Sequence, residues 1–157
     1  SLGLNGTLNK FLSYRLTTDL AVQDYKFKDF VDGDDDYSGN PLTGTPKHIW
    51  RSQLALNISK GFEVGMGHYT LGSQTLRDDN SISFAGYTLW HAYLKSTVGF
   101  TDRFGVDLLL RAENIFDKKY ASMLLINAGS FGGSAPRYYY PGLPANAYLS
   151  VKLKYRL

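Results

Sequence analysis

The chain has 157 residues, a formal net charge of +3 and no cysteine. Its length allows one sizeable domain with a core, and the lack of cysteine excludes a disulfide framework, a thiolate metal site and a cysteine nucleophile. Lysine and arginine are scattered along the sequence and form no run longer than two residues, so no basic stripe indicates a nucleic-acid partner. No apolar run approaches the roughly 18 residues that a membrane-spanning helix needs.

Period-two alternation of apolar and polar residues predicts an all-β protein with seven strands. The closing strand is the clearest, because Leu149, Val151 and Leu153 fall on one side while Lys152 and Lys154 fall on the other. Aromatic residues make up 15% of the sequence and there are 16 glycines, a composition that suits strands and turns. The predicted strands are residues 2–8, 14–22, 50–58, 62–67, 90–100, 106–113 and 145–157.

The predicted connections alternate in length. The short ones are residues 9–13, 59–61 and 101–104, and the long ones are residues 28–48, 71–86 and 116–144. An outer-membrane barrel has this arrangement, with short turns at one end, long loops at the other and an aromatic girdle at each interface. The aromatic residues predicted to form the girdles are Phe11, Phe62, Phe100 and Phe104 beside the turns, and Tyr25, Phe27, Trp50, Tyr87 and Trp90 toward the loops.

We therefore predict an antiparallel transmembrane β-barrel whose apolar face touches lipid and whose polar face borders an aqueous interior. A soluble β-sandwich also alternates apolar with polar residues, but its strands are usually about 5–6 residues long, shorter than most of these. An all-antiparallel barrel closes only with an even number of strands. Seven strands therefore predict that residues 1–157 are part of a larger barrel.

Two stretches near the carboxyl end of the sequence resemble TonB-dependent outer-membrane receptors. They are "RAENIFDKKY", residues 111–120, and "RYYYPGLPANAYLSVKLKYRL", residues 137–157. In that family an Asn-Leu/Ile-Phe-Asp-x-x-Tyr stretch closes the penultimate strand, and a Tyr-x-Pro-Gly stretch precedes the last one. Leu157 departs from the aromatic residue that is common at the family's carboxyl terminus. The matching residues are Asn114, Ile115, Phe116, Asp117 and Tyr120 in the first stretch, and Tyr139 or Tyr140, Pro141 and Gly142 in the second.

The resemblance implies that residues 1–157 form the C-terminal portion of a barrel of about 22 strands, with the family's plug domain absent from this chain. It implies energised uptake of a ferric siderophore, or of haem, cobalamin or another metal chelate, across the outer membrane of a Gram-negative bacterium. The implied partners are outer-membrane lipid and lipopolysaccharide, the rest of the barrel, the plug domain and TonB. The resemblance implies no enzymatic activity and no covalently bound cofactor. A passive porin-like barrel is the alternative transport function.

The candidate ligand residues are Arg137, Tyr138, Tyr139 and Tyr140 in the last long loop and His91 on a polar strand face. A guanidinium and phenols at a barrel mouth can bind an anionic, aromatic iron chelate through charge-assisted hydrogen bonds and stacking. The alternative is that the tyrosines belong to the rim girdle and that Arg137 pairs with a neighbour.

No metal site and no catalytic residue are predicted. The acidic run "DGDDD", residues 32–36, begins like an EF-hand loop, but Tyr37 stands where that loop needs Gly and Thr43 where it needs Glu. A solvated exterior loop is therefore expected there. His48, His68 and His91 are dispersed along the sequence without zinc-ligand spacing. We expect His68 on the outer surface near a rim and His91 toward the interior.

Overall fold

The computed structural model describes residues 1–130 and 132–155. These residues form strands joined by turns and loops. In this part of the chain, no helix is long and apolar enough to cross a membrane. The strands are β1 (Leu2–Thr7), β2 (Ser13–Val22), β3 (Val31–Asp32), β4 (Asp35–Asp36), β5 (His48–Ser59), β6 (Phe62–Leu71), β7 (Gln74–Thr75), β8 (Ser83–Phe84), β9 (Tyr87–Gly99), β10 (Phe104–Glu113), β11 (Ala121–Leu124), β12 (Tyr139–Pro141) and β13 (Asn146–Tyr155).

Seven long strands form one sheet in the order β1-β2-β5-β6-β9-β10-β13, and every neighbouring pair is antiparallel. These are the seven predicted strands, so the all-β antiparallel fold is confirmed. The sheet is open, since among the described residues β1 pairs only with β2 and β13 only with β10. The last two residues of the predicted closing strand, Arg156 and Leu157, lie outside the described residues.

The register separates the side chains of the sheet into two faces. On the apolar face, Leu94 lies opposite both Val64 and Leu110, and Leu110 lies opposite Leu149. The middle of this face is open in the described chain, since Leu94 is 43% exposed, Leu110 46% and Leu149 63%. A β-sandwich would bury such side chains against a second sheet, whereas the sheet of this chain leaves them exposed.

The polar face carries a hydrogen-bonded charge network near the short turns. The hydroxyl of Tyr93 donates to Glu63 at 2.8 Å, and the guanidinium of Arg15 lies 3.6 Å from the same carboxylate. Gly65 makes room for this network, because a Cβ atom there would collide with the Tyr93 ring. Polar groups on this face therefore bind one another along and across the strands.

Toward the long loops, the apolar face carries hydroxyl groups that are hydrogen-bonded to their neighbours. The hydroxyl of Thr18 lies 2.8 Å from that of Ser52 and also accepts a 2.8 Å hydrogen bond from the indole of Trp50. Thr70 and Thr88 pair in the same way at 2.9 Å. These polar side chains find partners within the sheet, which reduces the cost of placing them on an apolar surface.

His68 lies on the apolar face between two tryptophans, as its predicted outer position requires. It is 8% exposed, and its ring centroid lies 4.5 Å from that of Trp50 and 5.0 Å from that of Trp90. The girdle prediction is wrong for Tyr87. That residue lies opposite Leu71 on the polar face, because three residues separate it from Trp90 and an odd step in a strand changes the face.

The three long connections pack together at one end of the sheet. Each contains a small ladder, formed by β3 with β4, β7 with β8, and β11 with β12. The backbone N–H of Gly44 donates to Thr75 at 2.9 Å, and that of Asn127 donates to Leu76 at 2.8 Å. Leu76 is fully buried beneath them. The loops therefore have a core of their own.

Candidate functional site

A concave site of about 700 Å³ lies where the polar face of the sheet meets the long loops. Strands β2, β5, β6, β9, β10 and β13 all contribute side chains, because their polar sets share one face and their loop ends lie at one level. The charged and aromatic residues that line this interior site are Asp19, Arg51, His68, Tyr69, Trp90, His91, Arg111, Glu113, Tyr120 and Tyr148. Its chemistry is that of a polar binding surface with aromatic walls.

The two arginines of the interior site differ in their partners. Arg111 forms an ion pair with Glu113. The guanidinium of Arg51 stands 5.2 Å from the centroid of the Tyr69 ring, and within residues 1–130 and 132–155 it forms no ion pair. Cation–π stacking holds such a group while leaving its N–H donors available. Arg51 is therefore a cation of this site that can bind an anion.

The motif at the end of β10 ties the last loop to the sheet. Asn114 is 4% exposed and has a φ of 48°, a backbone conformation that asparagine tolerates better than most residues. Its side-chain amide donates to the carbonyls of Lys118 at 3.0 Å and Leu143 at 3.1 Å, and its oxygen accepts from the N–H of Lys118 at 2.9 Å. One side chain thus fixes both ends of the loop.

The remaining motif residues complete the same junction. The carboxylate of Asp117 accepts the N–H of Ala145 at 2.8 Å, just before β13 begins. Gly142 lies against the Tyr120 ring, where a Cβ atom would collide with it, and its N–H donates to the Tyr120 carbonyl at 2.9 Å. Phe116 is exposed beside Trp90, with 6.3 Å between the ring centroids. Pro141 lies in β12 opposite Ala121.

The structure divides the predicted ligand residues between separate places. Tyr139 and Tyr140 are exposed and line a groove of about 460 Å³ between two long loops, whereas His91 lines the interior site. Tyr138 is 7% exposed, and its hydroxyl has no hydrogen-bond partner in the described part of the chain. Arg137 is exposed and lines neither the groove nor the interior site. A ligand role for these residues stays a prediction.

The acidic run lies in the short β3–β4 hairpin, and its residues are exposed. The hydroxyl and backbone N–H of Ser38 lower the pKa of the Asp36 carboxyl by hydrogen bonding. Among the described residues, no group of three histidine or acidic side chains is arranged to hold a metal ion.

Sequence reasoning missed Arg51, Tyr69 and Arg111 as site residues. Arg51 and Arg111 alternate with the apolar residues of their strands, so their place on the polar face is predictable from the sequence. Their convergence with Tyr120 depends on the fold of the last loop, which alternation does not encode.

Comparison with known proteins shows which proteins this chain is similar to. No family model matches it. Over 99 residues, or 62% of the chain, it is 31% identical to the ferrioxamine receptor of Yersinia enterocolitica and spans 14% of that receptor's length. Its fold matches that of the siderophore receptor PiuA from Acinetobacter baumannii with a TM-score of 0.68 at 17% identity, covering 97% of this chain and 20% of PiuA.

A second solved structure shows the same fold. The ferric-catecholate import receptor Fiu from E. coli K12 matches with a TM-score of 0.68 at 19% identity, covering 96% of this chain and 20% of Fiu. The resemblance to TonB-dependent receptors is thereby confirmed. The chain is similar in sequence to part of a ferrioxamine receptor, and its sheet matches part of the fold of two solved receptors.

Proposed function

We propose that the chain is the C-terminal portion of an outer-membrane barrel that imports a ferric siderophore or a similar metal chelate with energy delivered by TonB. The main support for this proposal is a sheet with an exposed apolar face and a charged opposite face, in a chain 31% identical to a ferrioxamine receptor over 99 residues. The apolar face then contacts lipid, and the polar face borders the barrel interior.

The open edges of the sheet support a larger assembly. A strand edge in hydrocarbon carries unpaired N–H and C=O groups that cost several kcal/mol each. In this proposal β1 and β13 pair with further strands of the same barrel, and the plug domain fills its interior. Lipopolysaccharide and lipid surround the outer surface of the barrel between the two aromatic girdles.

Binding and passage require no covalent chemistry from these residues. The long loops and the interior site offer cations, phenols and a histidine, which suit recognition of an anionic chelate. TonB acts through the amino-terminal part of the receptor to displace the plug. The ligand residues proposed are Arg137, Tyr138, Tyr139, Tyr140 and His91, joined by Arg51 from the interior site.

Uptake of iron-55 chelates tests this proposal. The complete receptor is expressed in Gram-negative cells that lack their own siderophore receptors, and uptake is measured with and without a protonophore. Energised import predicts that uptake stops when the proton gradient collapses and in cells without TonB. Uptake that persists under both conditions would instead support a passive porin-like barrel.

A further inference from the structure

The exterior groove between the second and third long loops is lined by aromatic rings and one ammonium group. Its volume is about 460 Å³. The side chains that give it chemical character are Phe84, Lys119, Tyr120, Tyr139 and Tyr140. We propose that this groove binds the aryl rings and ionised oxygens of a catecholate or phenolate iron complex, in preference to an aliphatic hydroxamate complex. This inference rests on the proposed function and names the class of chelate.

Neighbouring contacts hold the walls of the groove in place before a ligand arrives. The ring centroids of Phe84 and Tyr139 lie 6.0 Å apart, and those of Tyr120 and Tyr87 lie 5.0 Å apart. Tyr140 lies in the β11–β12 ladder opposite Met123. Side chains fixed in this way lose little rotamer entropy on binding, which favours affinity.

The exposed rings provide the surface that an aryl ligand needs. Tyr139 is 45% exposed and Tyr140 is 39% exposed, so both rings are accessible. Aromatic pairs in offset or edge-to-face contact gain free energy beyond that of buried area alone. An aliphatic hydroxamate has no aromatic ring, so contact with the same rings contributes only the free energy of buried area.

The charge of the groove selects for anionic ligands. Lys119 is exposed and forms no ion pair with any residue in 1–130 or 132–155. No described residue that lines the groove is acidic. An ammonium group beside ionised aryl oxygens forms charge-assisted hydrogen bonds, which are stronger than those to a neutral acceptor.

Equilibrium dialysis of the purified complete receptor tests the inference with two matched probes, iron(III) tris(catecholate) and iron(III) tris(acetohydroxamate). Lys119→Gln keeps most of the side-chain length but removes the charge. It should raise the Kd of the catecholate complex roughly threefold to tenfold, the scale of a partly exposed hydrogen bond to a charged group. The Kd of the hydroxamate complex should stay unchanged.

Lys118→Gln is the matched control, since Lys118 is the adjacent exposed lysine and does not line the groove; it should leave both affinities unchanged. Tyr139→Leu keeps an apolar side chain but removes the ring, and it too should weaken only catecholate binding. Equal affinity for the two probes, no measurable catecholate binding, or a catecholate Kd unaffected by both groove variants would overturn the inference. Catecholate binding without energised import would overturn the proposed function instead.

Discussion

The ring of Tyr120 occupies the position that a Cβ atom of residue 142 would need. This close approach packs the segment after β10 against the segment before β13. Two side-chain hydrogen bonds link the same segments, from the Asn114 amide to the Leu143 carbonyl and from the Ala145 N–H to the Asp117 carboxylate. Both Asn114 and Asp117 have a φ of 48°. The resemblance marked these positions, but only the structure shows why glycine and asparagine suit them.

Gly142→Ala should therefore destabilise the complete receptor by about 1–3 kcal/mol, the usual cost of forcing a methyl group into a packed site. The measurement is the midpoint of unfolding in denaturant, followed by loss of heat-modifiable mobility on gels. Gly129→Ala is the control, because a Cβ atom there meets nothing within 4 Å. Equal midpoints for the two variants would show that the contact between Gly142 and Tyr120 is not tight.

At the scale of the strands, the alternation of apolar and polar residues predicts the strand bounds wherever it continues without interruption. The bounds of β2 and β10 lie within about two residues of the predicted bounds, and β13 begins one residue after its predicted start. Strand β6 extends to Leu71, four residues beyond the predicted end at Gly67. His68 and Thr70 place polar groups on the apolar face there, so the period-two signal ends although the ladder continues. The six loop strands have two to four residues each, too few to show a period.

Leu149 and Ser150 test the two faces of β13 directly. Leu149 lies opposite Leu110 in an apolar row, two residues from the row of Ala147 and Ala112. Leu149→Arg should cost about 2–4 kcal/mol if this row lies at the bilayer midplane, while Ser150→Arg on the polar face should be tolerated. The readout is the yield of folded receptor in the outer membrane and its unfolding midpoint. Comparable losses from both substitutions would contradict the assignment of faces.

At the scale of the whole molecule, Asp78 connects all three long loops. Its carboxylate accepts from the Thr43 hydroxyl and from the Asn127 amide, the latter at 2.8 Å, and its carbonyl accepts from the Asn40 amide at 2.8 Å. We therefore expect the three loops to open together rather than separately.

The candidate site was only partly predictable from the sequence. The groove depends on contacts between loops that are distant in sequence, and no local pattern encodes such contacts.

Asp78→Ala should loosen the three loops at once. Hydrogen exchange of the Gly44 and Asn127 amides should become about tenfold faster, since hydrogen bonds to a charged group are worth roughly 1.5–3 kcal/mol. Asp79→Ala is the control, because the hydrogen bonds and the ion pair of the Asp79 carboxylate among the described residues stay within its own loop, with Ser81 and Arg77. If Asp79→Ala accelerates exchange at both amides as much as Asp78→Ala does, Asp78 does not connect the loops.

Accessibility along β13 is the most direct test of the central claim that one face of the sheet contacts lipid and the other borders water. Residues 1–157 contain no cysteine. Any cysteine elsewhere in the complete receptor is first replaced by serine, so that single cysteines at residues 147–154 report their own surroundings. A bimane probe at Leu149, Val151 and Leu153 should be quenched by nitroxide lipids, whereas cysteines at Ser150, Lys152 and Lys154 should react with a water-soluble maleimide. Quenching without a two-residue period, or with the opposite phase, would contradict the barrel assignment.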